Sequence, residues 1–288
     1  MLKCDKDVFM KTLGFIVNPI AGMGGTVGLK GTDGRDILNK AVTLGAKPTS
    51  PARAERFLLE LKPFNTRINL LVGAGNMGEY EAQKAGSSFT VVGEEKEKTT
   101  AEDTKQITRS MIAKKADLIA FCGGDGTARD ILDVVDTRMP VLGIPAGVKM
   151  HSAVFTVSPE SAARIAVSFL LENLPLREAE VMDVDEEAFR NGRLSAKLYG
   201  YMLVPYKPDL IQSTKMASPS TDDEMRNQAA LAIYLIEEMK TNVIYIIGPG
   251  TTTRTIADLL DEQKTLLGVD LFCNKKIIAK DVNEKEIL

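Results

Sequence analysis

At 288 residues the chain passes the size at which one hydrophobic core usually stops growing, so two domains are expected. Apolar residues at 44% and charged residues at 26% are those of an ordinary globular protein, and a net charge of −3 gives no general attraction to nucleic acid. Cys4, Cys122 and Cys273 are odd in number and far apart, against a disulfide scaffold or a thiolate metal site, and no apolar run approaches the ~18 residues of a membrane span, so a reduced, cytoplasmic protein is expected.

From the N-terminus, short apolar runs alternate with helix-length segments, the rhythm of strand–helix–strand units and a mostly parallel sheet. A first strand is expected at 13–17 (LGFIV), running into the turn pair Asn18-Pro19 and then Gly22, Gly24 and Gly25. Further strands are expected at 67–72, which closes on Gly73-Ala74-Gly75-Asn76-Met77-Gly78, and at 89–93. A helix is predicted over 100–114, where Thr99 stands three residues before Glu102 in capping-box spacing. Strands at 117–122 and 140–144 follow. The next helix, over 159–171, opens on Ser158-Pro159, a cap and then a proline in the first turn. After 175 the texture is extended chain with turns. A helix at 224–240, a strand in NVIYIIGPG, a helix in TTTRTIADLLDE and a strand in TLLGVDLF then return to α/β. The expected organisation is a Rossmann-like α/β domain over 1–150 and a second domain over 151–288, β-rich at 176–206 and α/β at 224–288.

The stretch AFCGGDGTARD at 120–130 carries the chemistry. Gly123, Gly124 and Gly126 let backbone approach a ligand, and the helix opening at Thr127 offers unpaired N–H groups to an anion. Asp125 beside bound phosphates suits proton acceptance from an attacking hydroxyl or a bridging metal, both needs of phosphoryl transfer. Asn18, Gly22 and Gly24 after the first strand, and Pro145, Gly147 and Lys149 after the fifth, repeat the same strand-then-turn shape. Such turns converge at the carboxyl edge of a parallel sheet, where open α/β folds bind ligands. Lys30 and Lys149 are candidate phosphate cations, and Gly250 and Thr251 in GPGTTT are a candidate anion contact at a helix start. His151, the single histidine, is more often a cap than a base. No resident metal ligand set is expected.

N-P-x-x-G at 18–22, G-G-D-G-T at 123–127 and L-G-I-P-x-G at 142–147 resemble the nucleotide-binding segments of the NAD kinase, diacylglycerol kinase and phosphofructokinase-like superfamily. The chain is most similar to the ATP-NAD kinase family, in the branch that includes the X protein of acetoin-catabolism clusters, with GLKGTDG at 28–34, EAEVMDVDEEAFR at 178–190 and GPGTTT as further points of likeness. The resemblance implies an active site between two domains, Mg²⁺, ATP or polyphosphate as donor, NAD as acceptor and self-association. On that basis Gly123, Gly124, Gly126 and Thr127 approach the phosphates and Asp125 positions the acceptor hydroxyl. NAD kinases carry an Asn-x-Gly turn where this chain has Pro145-Ala146-Gly147, which is closer to the lipid-kinase side. The resemblance also implies that a chain ending at DVNEKEIL lacks one further glycine-rich segment of the branch.

Gly73-Ala74-Gly75-Asn76-Met77-Gly78 competes for the cofactor. It is G-x-G-x-x-G between a strand and a helix, with Glu94 about 20 residues on where a ribose-binding carboxylate would stand. It supports two readings besides a small-molecule nucleotide kinase: an NAD-dependent oxidoreductase and a nucleotide sensor without turnover. Neither nucleic acid nor membrane is expected as a partner.

Overall fold

A computed structural model describes residues 10–27, 35–135, 138–147, 150–184, 196–207, 210–211, 222–265 and 268–288. By their contacts the described residues form two compact units, one drawn from Met1–Gly22, Pro48–Asp183 and Lys197–Lys215, the other from Met23–Lys47, Val184–Ala196 and Met216–Leu288.

The first unit is built on a parallel sheet of β1 (Lys11–Val17), β2 (Ile68–Gly73), β3 (Thr90–Val92), β4 (Leu118–Gly123) and β5 (Val141–Pro145) in the order β3-β2-β1-β4-β5. The apolar runs are near-continuous because both faces are covered. Along β1 the pleat sends Leu13, Phe15 and Val17 into the cluster under α2 (Ser50–Leu61), α3 (Glu79–Ala85) and α6 (Pro159–Glu172). Ile16 goes to the opposite cluster with Met111 of α4 (Ala101–Ala113) and Ile131 of α5 (Asp125–Val135). A Cβ on Gly14 would stand 2.7 Å from the Met111 sulfur, so the missing side chain is what lets α4 seat on β1. Phe15 stacks on Phe57 at 5.3 Å between centroids, and each such fully buried ring is worth roughly 1.5–3 kcal/mol in transfer free energy.

The helices read out their local sequence. In α2 the buried positions Ala54, Phe57, Leu58 and Leu61 fall on one stripe, with Pro51 at its start and Pro63 just past its end. In α6, Ser158 accepts the Ser161 N–H at 3.1 Å, and Asn173 ends the helix at φ 57°. The cap of α4 lies one residue later than the sequence suggests. Thr100 is the capping residue, and the Asp103 carboxylate accepts its N–H at 2.8 Å and its hydroxyl at 2.7 Å; Thr99 and Glu102 have the same spacing, but Lys96 pairs with Asp103 and fixes the register. A strand pair, β6 (Leu176–Val184) and β7 (Ala196–Pro205), packs Val181, Met202 and Val204 into the α4/α5-side cluster.

The second unit holds α1 (Arg35–Thr43), α7 (Asp222–Glu238), α8 (Thr251–Leu259) and α9 (Glu284–Ile287) with β8 (Ile244–Ile247), β9 (Asp270–Cys273) and β10 (Lys276–Ala279), an antiparallel sheet in the order β10-β9-β8. The strand read in TLLGVDLF begins only at Asp270. The fully buried Asp270 accepts N–H bonds from Thr265 and Asp281 and the Thr265 hydroxyl, with the Lys264 ammonium 3.8 Å away, so Thr265 and Asp281 are drawn in around its carboxylate. Among the described residues no helix is long and apolar enough to cross a membrane.

Candidate active site

The strand order reverses direction between β1 and β4, the switch point beyond whose carboxyl ends open α/β sheets bind their ligands. Asn18 and the Gly123–Thr127 turn stand on its two sides. The Asn18 N–H donates to the Cys122 carbonyl at 2.9 Å, and its Nδ2 donates to Thr127 Oγ1 at 2.9 Å. Thr127 is buried beneath that bond. A Cβ on Gly123 would lie 2.5 Å from its hydroxyl, so strand and helix can meet this closely only at glycine.

The other turns join the same edge. The Ala146 N–H donates to the Gly123 carbonyl at 2.9 Å. Gly22 sits at φ 81°, and a Cβ there would lie 2.1 Å from the Ala146 carbonyl oxygen, so the turns after β1 and β5 press backbone on backbone. The start of α2 ties them together: the Thr49 hydroxyl bonds the Ala146 carbonyl, Ser50 Oγ donates to the Ala21 carbonyl at 2.7 Å, and Arg53 Nη1 donates to the Pro145 carbonyl at 2.9 Å. Asn18, Gly22, Gly123, Gly124, Asp125, Gly126, Thr127, Pro145 and Gly147 are thereby gathered at one edge. Thr49, Ser50 and Arg53 escape a sequence reading, although Thr49-Ser50-Pro51 is visible as a helix start.

Asp125 is the first residue of α5 and is half-buried. Its Oδ2 accepts the His151 N–H and its Oδ1 the Ser152 N–H, both at 2.9 Å. Ser152 Oγ in turn accepts the Met182 N–H at 2.9 Å, and Ala153 donates to the Glu180 carbonyl, so the loop aiming the carboxylate is anchored on β6. His151 therefore contributes its backbone here. The amides of the first helical turn, from 125 to 127, have no acceptor inside α5 and point along the positive end of its dipole. At Gly124 a Cβ would meet only the Met150 side chain, at 3.9 Å, leaving space for a ligand to approach the backbone. These are the features a phosphate needs. A small cavity of about 80 Å³ opens beside the site between Asn18, Pro19, Met77, Thr100 and Asp130. A larger one, about 320 Å³, is lined by Lys11, Asp117 and Leu176 at the amino ends of β1 and β4, the edge opposite the glycine turns.

Gly73, Gly75 and Gly78 lie at the carboxyl end of β2 but are folded on themselves. The Gly75 N–H donates to Glu79 Oε2 at 2.8 Å, and a Cβ on Gly75 would lie 2.6 Å from the Glu95 side chain, whose carboxylate also takes the Tyr80 hydroxyl. Glu95 thus faces the loop, and Glu94 is exposed. Gly78, at φ 136°, packs on Phe15. The amide that would meet a pyrophosphate already holds a carboxylate.

Of the remaining sequence candidates, Gly24 and Gly250 belong to the second unit. Gly250 caps α8 at φ 143°, and Thr253 Oγ1 donates within the turn, 2.8 Å from the Gly248 carbonyl and 3.0 Å from that of Gly250. Lys30, Lys149, Cys4 and the side chain of Thr251 lie outside the described residues. Cys122, wholly buried at the end of β4, has its thiol pushed up to about 12 by burial, which removes it as a nucleophile.

Two solved structures from Bacillus anthracis str. Sterne are similar to the chain. One is a diacylglycerol kinase, 16% identical over 61% of this chain and 46% of that one, with a TM-score of 0.28. The other is a candidate diacylglycerol kinase, 15% identical over 82% of this chain and 59% of that one, with a TM-score of 0.29. The chain spans about half the length of these structures, and neither likeness carries weight at such scores. No curated protein matches the sequence. The profile of the ATP-NAD kinase N-terminal domain matches residues 13–173, more than half of the chain and the whole of the β1–β5 edge described above, and the chain belongs to that family.

Proposed function

We propose that the chain is a phosphotransferase that moves a phosphoryl group from ATP or polyphosphate to an alcohol, with the 2′-hydroxyl of NAD as acceptor. The observation that carries this reading is the pairing of a fixed acid with free amides. Asp125 is held by two backbone N–H groups at the mouth of a helix whose first amides and Gly124 backbone are open to an anion. In the reaction the acceptor oxygen forms a bond to the terminal phosphorus, the bond to the donor's bridging oxygen breaks, and the hydroxyl proton passes to Asp125 and on to solvent. Magnesium arriving with the nucleotide would supply charge neutralisation. Among the described residues no cluster of three or more His, Cys, Asp or Glu offers it a resident site, and the donor's own phosphates would carry it.

The second reading keeps the chemistry and changes the acceptor to a lipid or other small-molecule hydroxyl. It is favoured by the Gly75 amide, which is closed by Glu79, and by the Pro145-Ala146-Gly147 turn. The same reading places the chain in the cytoplasm, where the nucleotides are. It includes self-association, for which exposed Leu231, Tyr234, Ile244 and Ile246 supply apolar surface. The test is incubation with Mg²⁺, γ-labelled ATP and either NAD or a panel of lipid and sugar alcohols. NADP formation supports the first acceptor and label in another alcohol the second; no transfer to any acceptor overturns both.

A further inference from the structure

The turns at the carboxyl edge offer backbone donors, and a polyphosphate carrying several negative charges also needs a cation. Arg53 stands in the first turn of α2, half-buried, at the edge where the turns after β1, β4 and β5 meet. Its Nη1 donates to the Pro145 carbonyl at 2.9 Å, and its charge reaches the buried Cys122 thiol at the end of β4. A guanidinium has five N–H donors in a planar fork, and a single carbonyl uses one. Among the described residues no carboxylate forms an ion pair with Arg53; Glu81, whose field reaches the same thiol, lies beyond ion-pair distance. The remaining donors of its fork have no protein acceptor among the described residues, so an anion at this edge can take them.

We infer that Arg53 is a phosphate-binding residue of the site: it holds the Pro145–Gly147 turn through one N–H and presents the rest of its fork to the phosphate chain of the donor. This rests on the phosphoryl-transfer reading above and adds to it a cation that no motif in the sequence marks. A plain structural role, pinning the turn alone, would use the Pro145 bond and nothing more. The two roles predict different things for ligands that differ only in charge.

The test is calorimetric binding of magnesium tripolyphosphate and of MgATP to the full chain and to Arg53→Met and Arg53→Lys, with ligand-free melting recorded for each. Losing a charge-assisted contact is expected to weaken both ligands about 10- to 100-fold in Arg53→Met and to flatten the salt dependence of the dissociation constant. Arg53→Lys, which keeps a charge and a donor for Pro145 but not the fork, is expected to fall between it and the wild type. Arg53→Lys also serves if Arg53→Met does not fold. If the wild type binds tripolyphosphate and either folded variant binds it within twofold as tightly, the inference is overturned while the kinase reading stands. If the wild type binds neither ligand, the kinase reading falls and Arg53's role with it.

Discussion

Two glycine-rich segments follow the strands on either side of β1 to the same sheet edge, and only one of them remains open. Gly123–Thr127 after β4 points bare amides outward, with Asp125 turned aside and held by the 151 and 152 backbone. Gly73–Gly78 after β2 has the better-known spacing, yet Glu79 occupies its central amide and Glu95 stands over Gly75. Glycine spacing fixes how closely backbone can approach. The charges around the turn decide whether an anion can use that approach, and three glutamates at 79, 94 and 95 argue against it.

The comparison breaks most decisively at Asp125. Asp125→Asn is expected to lower turnover about 10²- to 10⁴-fold with little change in MgATP affinity. It also sets an amide NH₂ against a backbone N–H of 151 or 152, so a fall in stability of about 1–3 kcal/mol should accompany it in thermal melting. Unchanged turnover would remove Asp125 from the chemistry.

Next in size is Gly22→Ala. The left-handed backbone costs about 1–2 kcal/mol, and the contact with the Ala146 oxygen adds to it, for a total near 3 kcal/mol in denaturant unfolding. Gly124→Ala meets no such obstacle and should melt like the wild type while losing MgATP affinity. Equal melting for the two variants would show that the turns after β1 and β5 do not press together.

A smaller effect is expected from Glu81, on the helix after the closed loop. Burial raises its carboxyl pKa, with Glu55 adding to the shift and a backbone hydrogen bond and Lys84 opposing it. The folded value lies above the unfolded one, so its contribution is full below the unfolded pKa and is lost as pH rises through the folded value. Glu81→Gln should therefore melt higher than the wild type at pH 8, with the difference closing toward pH 4. A difference independent of pH would mean that Glu81 does not titrate as a buried acid.

The smallest effect sharpens the contrast from the other side. Glu79→Gln, at the helix start that closes the loop, should leave MgATP affinity within twofold, whereas a strong gain for NAD would show that the glutamate alone keeps a dinucleotide out.

Most of this architecture is legible because β1, β2, β4 and β5 are largely buried on both faces and so appear as apolar runs, and because Ser158-Pro159 and the glycine turns carry their own backbone chemistry. What escapes the sequence is of three kinds. The cap of α4 is ambiguous by one residue, because Thr99 and Thr100 each have an acid three positions on. The start of β9 is hidden because Asp270 is a buried clamp inside an apolar run. The support of the site runs through Arg53 to Pro145, Thr49 to Ala146 and Asp125 to the 151 and 152 amides; these contacts join residues 26 to 97 positions apart, and several use backbone groups that no residue type announces.

The place of β1 in the middle of its sheet bears on how the chain is made. Its β4-side neighbour is encoded far downstream: Lys11 pairs with Asp117, 106 residues later. At synthesis rates of about 5–20 residues per second, the strand emerges roughly 5–20 s before that flank can be covered. During that interval an apolar ribbon with open hydrogen-bonding groups is exposed on the nascent chain, and β2 offers it only one-sided shelter. The stretch from Leu13 to Val17 is thus where crowding or heat during translation would first turn assembly into aggregation.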